Sequence, residues 1–110
     1  MNDCIFCRII SGEISSEFLY EDEKVAAFRD IEPQSPFHIL IIPKEHFTSI
    51  KDMKDESLIG HLFKTGNRIA AENKIENFRY IINTGEEAGQ TVFHIHLHLI
   101  GGRKMTWPPG

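Results

Sequence analysis

The sequence is short of cysteine, of long apolar runs and of positive charge, and each shortage removes a class of protein. Two cysteines in 110 residues are too few for a disulfide scaffold. No apolar run approaches the roughly 20 residues that span a bilayer, which excludes a transmembrane helix. The first ten residues carry an Asp and no basic segment ahead of a long apolar one, so a secretory signal is not expected. The net charge is -4, whereas nucleic acids and anionic membranes select basic surfaces, and neither is an expected partner. No linker, repeat or low-complexity segment interrupts the chain. With 41% hydrophobic and 25% charged residues, the composition is that of one ordinary globular domain able to bury a core.

What is present is histidine. Six occur, three of them within residues 94–98. Imidazole titrates near neutrality and is the commonest metal ligand, so function is sought there first. The charge is also uneven: residues 1–56 hold 12 acids and 6 bases, residues 57–110 hold 4 acids and 6 bases. A small anionic ligand is better accommodated by the second half.

The coarse pattern is strand, strand, strand, helix, strand, strand after a short helical turn at residues 4–11. Residues 18–21 and 25–29 read as a hairpin across an acidic turn. Pro33 and Pro36 bracket a loop, and His38 to Ile42 is an apolar run ending at Pro43, suited to a central strand. Residues 55–73 follow the 3.6 period, with Gly66 on the apolar stripe, where only close packing justifies its cost. Residues 78–83 and 93–100 read as the last two strands, and the Pro-rich tail is neither helix nor central strand. One main helix cannot cover a parallel sheet on both faces, so an α+β domain with a five-stranded antiparallel sheet is predicted.

In the segment from His94 to Ile100, imidazole and aliphatic residues alternate strictly. On a strand, His94, His96 and His98 share one face, while Phe93, Ile95, Leu97 and Leu99 face the helix. Neighbouring histidines then stand about 6.6–6.8 Å apart at Cα, so a flat strand delivers two of them to one metal, not three. The plain alternative is a polar, solvent-facing surface, for which Ser, Thr, Lys or Glu would serve more simply. Two chemical readings remain: half of a zinc site, or a histidine nucleophile attacking phosphorus with neighbouring histidines handling protons. The preceding loop, with Gly85, Gly89, Gln90 and Thr91, favours the second, because glycines let backbone N–H groups approach an anion and a hydroxyl can donate to phosphate. Cys4-x-x-Cys7 has three readings of its own: free thiols, a redox pair, or half of a Cys2His2 zinc site.

These residues resemble the histidine triad family of nucleotide hydrolases and transferases. The likeness extends beyond the His-φ-His-φ-His-φ-φ signature (φ apolar) to residues 25–30, the Pro-Gln-Ser-Pro loop before His38, Ile-Pro-Lys-Glu-His46, Asn83-x-Gly, residues 89–94 and the Gly-Gly-Arg-x-Met-x-Trp107-Pro-Pro-Gly ending. These features are similar to the Hint-like branch, in its bacterial form with an N-terminal Cys-x-x-Cys. The resemblance implies a single domain over residues 1–110 in a homodimer whose two sheets join into one of ten strands, with the tail of residues 102–110 reaching the partner's active site. It implies a cytoplasmic purine nucleoside phosphoramidase, cleaving nucleoside 5′-phosphate–amine and aminoacyl-adenylate bonds through a nucleotidyl-histidine.

By position, the resemblance makes His96 the nucleophile. His98 contacts phosphate oxygens, His38 joins the proton network, and Thr91 keeps the hydroxyl where relatives usually carry Ser. Asp30 takes the ribose hydroxyls. Asn83 and Gly89 touch the phosphate, Ile14, Phe28 and Ile31 line the base pocket, and Trp107 lies near the partner's leaving group. Cys4, Cys7, His46 and His94 hold a structural zinc, and the chemical step needs no cofactor. His61 receives no role. The competing expectations are a metal-dependent hydrolase built on the triad histidines, and a purine-nucleotide-binding module without turnover.

Overall fold

The run Phe37–Pro43 is buried along its whole length, and the sheet is built around it. In the computed structural model, which describes residues 3–109, this run is β3, the middle strand of the order β1-β2-β3-β5-β4. Gly110, the last residue of the tail motif, lies outside the described residues. The other strands are β1 (Phe18–Glu21), β2 (Val25–Arg29), β4 (Phe78–Ile81) and β5 (Leu97–Gly101). All neighbours pair antiparallel. The helix α2 (Glu56–Glu72) connects β3 to β4, and β5 returns to lie between them. The fold is therefore the α+β architecture predicted from the sequence.

Strand alternation divides the interior into two layers. Ile39, Ile41, Leu97 and Leu99 point to α2 and join Leu62 and Ile69 in the main core. Leu40 and Ile42 point the other way and meet Phe6, Ala26 and Phe28. Phe6 belongs to α1 (Ile5–Ile10), which begins at Cys4, whose Sγ accepts the Cys7 N–H. Six residues cover only part of this second face. The uncovered part is where the histidines emerge.

Two departures from the sequence reading have physical causes. The last strand was expected to begin at Phe93, yet β5 begins at Leu97. With Ile41 opposite Leu97, the next position on the same face, Ile95, would lie opposite Pro43, which has no N–H for a ladder. Ile95 instead donates its N–H to Phe47 O at 2.9 Å. Ile95 still enters the α2 core, but Phe93, expected to pack on the helix, is 45% exposed. Likewise β4 ends at Ile81, short of Asn83, where the chain turns into its glycine loop.

The α2 boundaries match the periodic pattern. Asp55 caps the first turn by accepting the N–H groups of Ser57 and Leu58, and the Asn73 amide donates to Ile69 O at 2.8 Å beyond the last turn. Gly66 is explained by Tyr80. A Cβ at residue 66 would stand 2.5 Å from the Tyr80 hydroxyl, and that ring is fixed by Phe63 and by a 2.7 Å hydrogen bond to Asn67.

Gly66→Ala is accordingly expected to destabilise the protein by about 1–3 kcal/mol through overpacking, although Ala is the better helix former by roughly 1 kcal/mol. Combining it with Tyr80→Leu should recover part of the loss in a thermal-melt double-mutant cycle. A Gly66→Ala melting temperature at or above wild type would show that the ring yields freely.

Candidate functional site

A cavity of about 430 Å³ opens on the α1 side of the sheet, with His38, His96 and His98 along one wall. Asp30 and Thr91 reach it, and its apolar lining includes Ile14, Phe28 and Ile31. Ile31 is 91% exposed and so forms the rim. Asn83 lies in an adjoining recess of about 160 Å³ that shares His38 and His98 with the cavity. Gly89 packs against the Asn83 amide and adopts φ +100, a conformation open to glycine. Trp107 is 81% exposed and contributes nothing to this cavity within its own chain.

Backbone groups decide which nitrogen of each ring carries the proton. A neutral imidazole has one N–H and one lone pair. His96 Nδ1 lies 2.8 Å from the His94 carbonyl, which only accepts, so Nδ1 bears the hydrogen and Nε2 keeps its lone pair. His38 Nδ1 accepts the Gln34 backbone N–H at 2.9 Å, so its hydrogen is on Nε2. That N–H stands 2.9 Å from His98 Nδ1 and 3.3 Å from Asp30 Oδ2. Donation to His98 Nδ1 leaves the His98 hydrogen on Nε2, and this buried atom has no hydrogen-bond partner. An unmatched buried donor costs stability and marks a place where an acceptor belongs.

Burial also sets the charge. Desolvation pushes His38 below its ordinary value, opposed by the Asp30 carboxylate. Desolvation lowers His96 too, against its bond to the His94 carbonyl and the Asp30 charge. His98 is pushed down to about 4 by burial and by its neighbours His96 and His38. All three rings are neutral at pH 7. One wall thus offers a lone pair on His96 beside an N–H on His98, with ring centroids 4.9 Å apart.

His94 turns to a different cluster. Its Nε2–H donates to Pro43 O at 2.8 Å, so its Nδ1 lone pair faces Cys4 Sγ at 3.4 Å, Cys7 Sγ at 3.6 Å and His46 Nδ1 at 3.1 Å. Cys7 Sγ and His46 Nδ1 are 3.3 Å apart. A tetrahedral zinc with bonds of about 2.3 Å to sulfur and 2.0–2.1 Å to nitrogen has ligand edges of about 3.3–3.8 Å. The four donor atoms lie within 4.8 Å of one another, and their types and spacing fit that ion. Burial and the neighbouring Cys4 push the Cys7 thiol up, so occupation by a dication would release protons. His94 is therefore shared: its ring serves this cluster and its carbonyl holds His96.

Three contributors received no role of their own in the sequence reading, although Gln90 was named there as part of the glycine loop. Phe6 sets its ring edge-on to His94 and His96, with centroids at 5.8 and 5.1 Å. The buried Gln90 side chain ties the glycine loop together, accepting Gly85 N–H and donating to Thr48 O at 2.7 Å. Gln34 acts through its backbone. Only their proximity to the histidine and glycine motifs hinted at them, since Phe6 and Gln90 work through long-range contacts and Gln34 through a backbone N–H that any residue type but proline would supply. The sixth histidine, His61, lies elsewhere, 2.7 Å from Asp22 Oδ2. Burial pushes the Asp22 carboxyl up, but hydrogen bonds from His61, Tyr20 and the Lys24 and Val25 N–H groups hold it far below the usual range.

The protonation pattern has a signed consequence. His98 binds its proton near pH 6.5 when unfolded and at about 4 when folded, so between those values the unfolded chain carries more protons. The stability His98 contributes is complete above pH 6.5 and is lost as pH falls toward 4. Melting temperatures across that window should fall less steeply for His98→Asn than for wild type. Parallel slopes would mean that His98 is not buried neutral.

Comparison with known proteins follows the same lines. Residues 11–105 match the HIT domain family. The "14 kDa zinc-binding protein" of Brassica juncea is 49% identical over 113 residues, covering 98% of this chain and 100% of that protein. The "Adenylylsulfatase HINT1" of Arabidopsis thaliana is 48% identical over 111 residues, covering 96% of this chain and 76% of that protein. Among solved structures, a HIT family hydrolase from Legionella pneumophila Philadelphia 1 superposes with a TM-score of 0.93 at 44% identity, covering 98% of this chain and 100% of the other.

Proposed function

The chain belongs to the HIT domain family, and from that premise we propose that it is a hydrolase that cleaves purine nucleoside phosphoramidates through a nucleotidyl-His96 intermediate. The observation that carries this reading is the His96 tautomer: the His94 carbonyl holds the Nδ1 hydrogen, so an uncharged Nε2 lone pair lines the cavity. Its attack on the α-phosphorus forms a P–N bond to His96 and breaks the bond to the leaving amine, which departs with a proton. Water then attacks the same phosphorus, releases His96 and restores the proton balance, giving nucleoside monophosphate and amine.

The unpartnered His98 Nε2–H supplies the donor that a phosphate oxygen requires. A phosphate anion in the cavity also raises the pKa of the histidines beside it, because opposite charge favours the protonated form. The substrate itself thus makes proton transfer at neutral pH accessible to rings that burial keeps neutral in its absence. Asp30 is the acceptor for ribose hydroxyls, Phe28, Ile14 and Ile31 take the purine, and the Thr91 hydroxyl assists the leaving group. Asn83 and the Gly89 backbone complete the phosphate side. The homodimer, the single domain over residues 1–110, a tail from residue 102 that brings Trp107 to the partner's cavity, and a cytoplasmic location belong to the same proposal.

The name of the Arabidopsis relative supports a second substrate, an adenylyl sulfate, whose leaving group needs no added proton. The same nucleophile serves both. A metal-dependent mechanism at Asp30, His38 and His98 is disfavoured by the donor set. These side chains do lie within 4.8 Å of one another, but the Gln34 N–H on His38 Nδ1 leaves a hydrogen, not a lone pair, on Nε2. Zinc, where bound, is held by Cys4, Cys7, His46 and His94. It ties α1 to the segment that carries His96, just ahead of β5, and keeps His94 out of the reaction.

With EDTA present, wild type is expected to release AMP from adenosine 5′-phosphoramidate, and His96→Asn to lose activity by on the order of 10³-fold or more. Release from adenylyl sulfate alone would move the assignment to the second substrate. Loss of wild-type activity in EDTA would favour the metal-dependent mechanism. Nucleotide binding without turnover of either compound would leave a binding module.

Purified protein should contain about one zinc per chain by atomic absorption, and Cys7→Ser and His46→Ala should each lose it and melt at lower temperature. Equal zinc in wild type and both variants would sink the assignment of these ligands.

A further inference from the structure

The loop from Asp30 to Phe37 supplies the N–H that orients His38, yet little of its own backbone is hydrogen-bonded. Its ends are joined by the Asp30 N–H to His38 O bond. Within it, the Asp30 carboxylate accepts the Glu32 N–H, the Gln34 side chain donates to Glu32 O, and Ser35 Oγ donates to Phe37 O. All of these are local. Among the described residues, the side-chain hydrogen bond that reaches the loop peptides from another part of the chain comes from Arg103, whose Nε–H donates to Gln34 O at 3.0 Å. The residue before it, Gly102, adopts φ +87 and sits so close that an added Cβ would stand 3.2 Å from Pro36 Cβ. The start of the C-terminal tail is thus seated directly on this loop.

We propose that Arg103 is a positioning residue for the His38–His98 pair, holding Gln34 so that its N–H remains on His38 Nδ1. The inference rests on the functional reading of those two histidines. The chain of causes is short. Arg103 fixes the Gln34 carbonyl, and with Pro33 and Pro36 limiting the loop's other torsions, the Gln34 N–H stays aimed at His38. Acceptance of that N–H places the His38 hydrogen on Nε2, toward His98 Nδ1 at 2.9 Å. The His98 hydrogen is then on Nε2, the buried atom that has no partner within the protein. Without the Arg103 bond the Gln34 N–H is free to leave, and nothing on the Nδ1 side then selects one His38 tautomer over the other. Arg103 touches neither a ring nor the cavity, so its effect is on the proton pattern, not on ligand contact.

The direct test is the tautomer itself. Nitrogen-15 histidine spectra of wild type at pH 7.5 should show His38 as a single Nε2–H form. Arg103→Met, which retains much of the side-chain stem, should show a mixture. Arg103→Lys, which restores a donor, should return toward wild type. Gly102→Ala, which unseats the tail by a different route, should reproduce the Met variant's mixture. In the phosphoramidate assay kcat should fall about fivefold for Arg103→Met, the weight of roughly one hydrogen bond, with KM unchanged. A single unchanged His38 tautomer in Arg103→Met overturns the proposal whatever the activity does. A rise in KM with kcat unchanged overturns it as well, since that is the mark of a binding residue. A tautomer shift in a protein with no phosphoramidase activity supports the positioning role and rejects only the substrate reading.

Discussion

A neutral imidazole offers one donor and one acceptor, and in this protein the backbone decides which nitrogen is which. Three peptide groups do so: the His94 carbonyl for His96, the Gln34 N–H for His38, and the Pro43 carbonyl for His94. Side chains alone could settle into several patterns of equal cost. Backbone groups cannot rotate away without disturbing a strand or a loop, so the pattern is set before any ligand arrives. The consequence is one lone pair on His96 and one N–H on His98, side by side. A phosphoryl group undergoing attack needs this combination.

The sheet makes the combination possible by keeping its two faces unequal. The α2 side is closed by the apolar residues of the main core. The opposite side is covered only over the span of α1, so buried and open surface meet at the histidines. Pro43 contributes by ending the β3–β5 ladder, whose last pair is Ile41–Leu97, three residues short of His94. Released from the ladder, His94 can turn its ring toward the two thiols and His46 while its carbonyl still holds His96. One residue thus couples the Cys/His cluster to the cavity through its own backbone.

Partial burial gives the electrostatics their sense. Desolvation outweighs Asp30 at His38, His96 and His98 and keeps all three neutral. A nucleophile gains from that, since a protonated nitrogen cannot attack. An acid does not gain, and the balance is corrected only when an anion enters. On the proposed function, substrate charge and protein burial act in opposite directions on the same rings, which ties proton donation to occupancy.

Much of this was legible in the amino-acid order. The hairpin pattern around the acidic turn before Val25, the apolar run of His38–Ile42 and period 3.6 on residues 55–73 located the elements, because each is a local signal carried within one element or turn. The predicted close packing at Gly66 has its cause in Tyr80. The strict alternation at residues 94–98 marked the histidines as a set, and Cys4-x-x-Cys7 marked the thiols, which the fold brings beside His46 and His94. The tertiary structure alone decided that His94 parts from the other two, that Phe93 faces outward, and that Gln34, Gln90 and Phe6 support the site. These outcomes depend on partners dozens of residues away, such as Pro43 for His94 and Thr48 for Gln90. Periodicity reports which face of an element is buried. It carries no information on which nitrogen of a ring keeps its hydrogen, because that is settled by whichever distant carbonyl or N–H the completed fold places against it.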